Sequence, residues 1–151
     1  MSDTPFRVLP RLTSLNRHFW QGGAEGELRF LRCGDCASYV HPPAPLCGGC
    51  LSKNLRVEAV SGRAVVATFT LNHKEWVPAP DHPYVIAIVE LEEDASVRLM
   101  TNIVNCAPES VRIGMPVEVV FEQHEDVHVP LFQPVADQEA DLERRPPRSE
   151  P

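Results

Sequence analysis

A chain of 151 residues with 21 acidic against 14 basic side chains has a formal charge of −7, a poor match for a nucleic-acid backbone. No apolar run approaches the ~20 residues that span a bilayer, and the opening MSDTPFRVLP lacks the regions of a signal peptide, so a cytoplasmic chain with no membrane partner is expected. Hydrophobic content of 43% is that of a globular protein, while 15 prolines argue for many loops and little helix.

Residues 1–12 read as an extended arm. Thr13 or Ser14 can cap a short helix carrying Leu15, Phe19 and Trp20, which Gly22-Gly23 should stop. Leu15 and Phe19 share a face and offer a packing stripe, either to this chain's own barrel or to a partner. Glu27 to Arg32 reads as a strand running into Cys33-Gly34-Asp35-Cys36, which is answered further on by Cys47-Gly48-Gly49-Cys50. These two segments have the layout of facing knuckles, in which glycine allows the backbone to turn tightly and aim amides at the sulfurs. Between them, Tyr39 to Pro45 is too proline-rich for helix and should be a strand and turn.

From Arg56 the pattern becomes period two and β-rich. Strands are expected over Arg56–Val60, Ala64–Asn72, Tyr84–Leu91, Val97–Asn105, Val117–Gln123 and His128–Gln133. Turns fall at Ser61-Gly62, Glu92–Ser96 and Gly114–Pro116. Five or six short antiparallel strands suit a closed or nearly closed barrel of OB type. The break Lys74–Pro83, with an exposed Trp76, is the candidate functional loop. The domain reading is therefore an arm and helix over 1–26, a zinc ribbon over 27–55, a barrel over 56–135 and a disordered tail over 136–151.

Four of the five cysteines form the two C-x-x-C pairs. In a reducing compartment this reads as metal ligation, with tetrahedral zinc first, rubredoxin-type iron second and disulfides third. A closed four-thiolate shell has no open position for water and staples rather than catalyses. Cys106 is read as a small buried hydrophobe, since no partner base can be identified. His73-Lys74-Glu75 has the H-x-E of zinc deaminases, but it follows both cysteine pairs, the wrong order, and each pair already completes the other's shell. His124 and His128 flank Glu125-Asp126 in a solvated hairpin, with a second metal site as the alternative. Glu90, Glu92, Glu93 and Asp94 read as solvated turns. An OB barrel can bind single-stranded nucleic acid, but 7% aromatics and the acidic balance argue against it. No catalytic residue is assigned.

Taken in order, several motifs resemble one family over about residues 15–135. They are Phe19-Trp20, Arg32-Cys33-Gly34-Asp35-Cys36, His41-Pro42-Pro43-Ala44-Pro45-Leu46-Cys47, Ser61-Gly62-Arg63, Pro83 to Leu91, Thr101-Asn102 and Val111 to Phe121. The family is that of two-part zinc-ribbon and OB-fold proteins associated with acyl-CoA metabolism, a domain of unknown function. The resemblance implies a mostly β protein: a rubredoxin-like zinc ribbon holding structural Zn²⁺ on Cys33, Cys36, Cys47 and Cys50, then an OB barrel. It implies a non-catalytic subunit of a thiolase-superfamily enzyme acting on acyl-CoA esters by thiolysis, retro-aldol cleavage or acyl transfer. A two-plus-two assembly follows from the dimeric nature of such partners. A hot-dog-type enoyl-CoA hydratase is the alternative partner, and a stand-alone binding protein for acyl-CoA or single-stranded nucleic acid the alternative role. Phe19, Trp20 and Trp76 are the expected partner contacts. Arg29, Arg32 and Arg63 are candidates for the phosphates of a CoA held mainly by the partner.

Overall fold

The computed structural model describes residues 6–76 and 83–136. The tail expected at the C-terminus, apart from Ala136, and residues 77–82 of the expected loop lie outside them.

Helix α1 spans Arg17–Gln21. The turn leading into it opens on Thr13, one of the two expected caps: the Asn16 amide donates to Thr13 Oγ1 at 3.3 Å, the Thr13 amide to Asn16 Oδ1 at 2.8 Å, and the Arg17 amide to the Thr13 carbonyl at 3.0 Å. Gly22 and Gly23 do not stop the chain; they continue it as a 3₁₀ turn over Gly22–Glu25 that ends at Gly26, with φ of 72°. The need for glycine at 23 is steric. A Cβ there would stand 2.5 Å from both His128 Cβ and the Phe121 ring, so its absence lets the turn lie on the barrel.

Strands β1 (Leu28–Cys33), β2 (Tyr39–Val40) and β3 (Leu55–Val60) form an antiparallel sheet in the order β2-β1-β3. The strand expected to open the barrel thus belongs to the ribbon. Leaving the second knuckle, the chain returns along β1 in unbroken register from Cys33↔Leu55 to Leu28↔Val60. Gly62, at φ 79°, then turns it into the barrel.

The barrel comprises β4 (Arg63–Asn72), β5 (Tyr84–Leu91), β6 (Arg98–Ile103), β7 (Pro116–His124) and β8 (Val127–Pro134), closed in the order β4-β5-β6-β8-β7. Burial alternates strictly along β5, the period two read from sequence. A register shift between Val66 and Thr68 bends β4, so that its first part pairs with β7 while its length pairs with β5. One contact departs from the antiparallel expectation: β6 meets β8 in parallel at Ile103↔Phe132, because the connection through Pro108–Ser110 crosses before β7 begins.

Val66, Val85, Val89, Leu91, Val117 and Phe132 fill the barrel, and Phe19 of α1 with Leu28 and Phe30 of β1 belong to the same buried cluster. Helix and ribbon are thus fastened to the barrel by side chains each worth ~2 kcal/mol of apolar burial. A second cluster of Leu31, Cys33, Val40 and Cys47 lies around the knuckles. Arg7 ties the N-terminal arm to the barrel through Glu122, with Asn102 Oδ1 at 3.2 Å. No helix among the described residues is long and apolar enough to cross a membrane.

Candidate metal centre and adjoining groove

The knuckles are built alike. Cys33-Gly34-Asp35-Cys36-Ala37-Ser38 and Cys47-Gly48-Gly49-Cys50-Leu51-Ser52 place their first cysteine amide against the serine carbonyl at 2.9 Å in each case. The residue after the second cysteine donates back to the first, Ala37 to Cys33 at 3.0 Å and Leu51 to Cys47 at 2.9 Å. The left-handed residues are Ala37 (φ 62°) and Leu51 (φ 61°), not the glycines expected to supply the turn. Gly34 serves by being small: a Cβ there would meet Asn54 Nδ2 at 2.5 Å. Asp35 joins the knuckles, accepting from Ser52 Oγ and from Asn54 Nδ2 at 2.9 Å, and these bonds hold its carboxyl below the usual range.

All four cysteine sulfurs lie within 4.8 Å of one another, the one such group of potential ligands among the described residues. Cys33 Sγ stands 3.6 Å from Cys50 Sγ, and Cys36 Sγ 3.5 Å from Cys47 Sγ. A disulfide needs ~2.05 Å. A tetrahedron with Zn–S of ~2.3 Å has sulfurs about 3.8 Å apart, so the donor set fits a tetrahedral metal. The local field fits as well. Amides of Cys36 and Asp35 lower Cys33, while the Ser38 hydroxyl and then its amide bring Cys36 down to about 6. At Cys50 the Ser52 amide lowers, but the sulfurs of Cys33, Cys36 and Cys47 crowd it and together push it up to about 12. Without a cation the last thiol resists ionisation; a divalent ion removes that conflict.

The expected partner contacts divide. Phe19 is buried in the chain's own core, Trp20 is half-buried against it, and Trp76 is 67% exposed with Lys74 Nζ 4.2 Å from its ring centre. Trp20 borders an open groove of about 620 Å³ between α1, the residues after β2 and strand β6, to which Leu15, His41, Pro42 and Met100 contribute. Met100 is 72% exposed. The rings form one stack of contacts: Trp20 edge-on to Phe19 at 4.9 Å, and His41 at 5.0 Å from both Phe19 and Phe30. Burial, reinforced by His18, lowers His41 to about 4.

The three arginines all hold carboxylates, each with its own partners. Arg29 pairs with Glu27 at 2.7 Å and Glu25 at 2.8 Å, Arg32 with Glu58 at 2.8 Å, and Arg63 with Glu92 at 2.7 Å. Cys106 is partly buried against the core. His73 and Glu75 are exposed. His124 and Val127 close the hairpin expected between β7 and β8. Sequence reasoning missed the serines and Asp35 of the centre, which the repeated C-G-x-C-x-S pattern could have revealed. It also missed the groove, since its walls come from segments far apart in the chain.

Two family descriptions match. "ChsH2, rubredoxin-like zinc ribbon domain" covers residues 20–56, and "ChsH2, C-terminal OB-fold domain" covers residues 57–122. The chain is 34% identical over 134 residues to the "Probable enoyl-CoA hydratase alpha subunit" of Thermomonospora curvata, across 88% of this chain and 41% of that protein. It is 36% identical over 116 residues to the "3-oxo-4,17-pregnadiene-20-carboxyl-CoA hydratase alpha subunit" of Mycobacterium tuberculosis, across 77% of this chain and 36% of that one. It thus spans about two-fifths of the length of these relatives. Among solved structures, a chain of "Ltp2-ChsH2(DUF35) aldolase" superposes with a TM-score of 0.75 at 32% identity, over 83% of this chain and 98% of that one.

Proposed function

From the premise that this chain belongs to the ChsH2 (DUF35) family of zinc-ribbon and OB-fold proteins, we propose that it is the non-catalytic subunit of a cytoplasmic enzyme acting on acyl-CoA esters. The observation that carries this reading is the likeness to a chain of the Ltp2-ChsH2(DUF35) aldolase, which is matched over nearly its whole length. The catalytic partner is of the thiolase superfamily and joins two copies of this chain in a two-plus-two assembly. That partner supplies nucleophile and bases; this chain shapes and dries the acyl pocket. The hydratase alpha subunits favour a second reading, in which the partner is a hot-dog-type hydratase.

Zinc on Cys33, Cys36, Cys47 and Cys50 is structural, fixing the knuckles against β1 and β3. Trp20 and Trp76 are the contact residues, because each leaves aromatic surface outside the core, and Phe19 supports Trp20 from beneath. Arg29, Arg32 and Arg63 are candidates for CoA phosphate, each exchanging a carboxylate partner for it on assembly.

The first experiment is an affinity purification of the tagged chain from its own cells with mass spectrometry of what remains bound. A thiolase-like chain in equal amount supports the main reading, a hot-dog hydratase the second, and the chain alone or with nucleic acid overturns both. In the reconstituted complex, Trp20→Ala and Trp76→Ala should each weaken assembly roughly tenfold or more. Unchanged assembly in both would remove this face from the interface. Unchanged KM for the CoA ester after Arg29, Arg32 and Arg63 are replaced would remove the phosphate contact.

A further inference from the structure

β3 is an edge strand of the three-stranded sheet, and its outer side is unpaired among the described residues. On β1, the Cys33 amide points toward β2, where it bonds the Ser38 carbonyl, and the Gly34 amide points the other way, to Asn54. Peptide groups alternate along a strand, so Arg32 and Phe30 face β3 and bond their register partners Arg56 and Glu58. Leu55, Val57 and Ala59 therefore aim their amides and carbonyls outward. Leu55 turns its amide back to Lys53, but Val57 and Ala59 find no partner among the described residues. Native edges of this kind are blunted by proline, a bulge, shortness or charged side chains. β3 has no proline or bulge over its six residues, its Val57 is 49% exposed, and its two charges, Arg56 and Glu58, are of opposite sign and so do not repel a second copy set antiparallel.

The side chains beside this edge carry an unanswered charge. Arg56 lies directly across the sheet from Arg32, two like charges in register, and has no ion pair among the described residues. Glu58 Oε1 accepts from Arg32 and, at 3.2 Å, from the Tyr39 hydroxyl, which leaves Oε2 without a partner. We infer that β3 pairs with β3 of a second copy of this chain, antiparallel about a two-fold axis at Val57. In that register the two Val57 residues exchange backbone hydrogen bonds, and each Leu55 stands opposite an Ala59. Each Arg56 stands opposite the partner copy's Glu58 in a non-hydrogen-bonded pair, where side chains approach most closely. The strand is complementary to itself in charge as well as in backbone, and no other strand has to be supposed.

The test is sedimentation velocity of the full chain with its metal bound, over a concentration series, and it requires no catalytic partner; its failure leaves the preceding reading standing. The chain should dimerise. Val57→Pro removes an outward amide that the fold does not use, and should abolish the dimer while metal content and circular dichroism stay as in the parent. Arg56→Glu should weaken self-association roughly tenfold or more, by turning two attractive pairs into repulsive ones. The double variant R56E/E58R should regain it, yet pair poorly with the unmodified chain. A chain that stays monomeric at the highest concentration it tolerates would overturn the inference. So would a dimer indifferent to Val57→Pro, or a double variant no better than Arg56→Glu.

Discussion

His41 sits where the ribbon leaves β2 and is pressed between Phe19 and Phe30, with its imidazole held neutral. Its folded pKa of about 4 lies below the unfolded value of 6.5, so between these limits the unfolded chain binds the extra proton. Stability from this residue is fully present above pH ~6.5 and is lost as pH falls toward 4, by up to about 3 kcal/mol. His41→Phe should keep the ring contacts and flatten that slope. Denaturant midpoints of both proteins across this range check it, with thiolate protonation cancelling in the difference. The four cysteines behave differently, since they act as a set. Cys47→Ala should reduce bound metal from one ion per chain to near none, measured by plasma mass spectrometry, because a three-sulfur remnant loses the closed shell. That Cys33, Cys36, Cys47 and Cys50 would come together was legible from their spacing alone. Ala37 and Leu51 were not, because a left-handed alanine or leucine carries no sequence signal of the kind glycine does.

At the scale of elements, the turn between β3 and β4 decides which sheet each strand joins. Gly62 combines φ of 79° with a site where a Cβ would lie 2.5 Å from Val119 Cγ1. Gly62→Ala should therefore destabilise the protein by about 2 kcal/mol or more, read as a lower denaturant midpoint. Sequence periodicity located the strands to within a residue or two of their ends. It could not place β3 in the ribbon, since alternation reports which residues are buried and not which neighbour buries them. The parallel contact of β6 with β8 was hidden for the same reason: strand direction depends on the path between strands. Phe30 shows the consequence. It belongs to a ribbon strand, is fully buried in the barrel's core, and Phe30→Ala should cost roughly 3–5 kcal/mol, with metal-release and barrel signals shifting together on thermal unfolding.

Across the whole molecule, β1 crosses between the two clusters. Leu28 and Phe30 belong to the barrel's core, while Leu31 and Cys33 belong to the cluster around the knuckles. The first is built of large apolar side chains, enough to stand on burial alone. The second holds only Leu31, Val40, Cys33 and Cys47 with Ala44 and Leu55 at its edge, too little apolar surface to order two proline- and glycine-rich knuckles without a metal. Removing the ion should therefore split the molecule unequally. After chelation, the amides of Gly34, Ala37, Cys47 and Leu51, whose acceptors lie in or beside the knuckles, should exchange with solvent at least tenfold faster. Amides along β5 and β7 should keep their protection. Hydrogen exchange with and without a chelator measures both at once. Uniform loss would mean that the metal holds the barrel as well as the ribbon, and uniform retention that the knuckles stand without it.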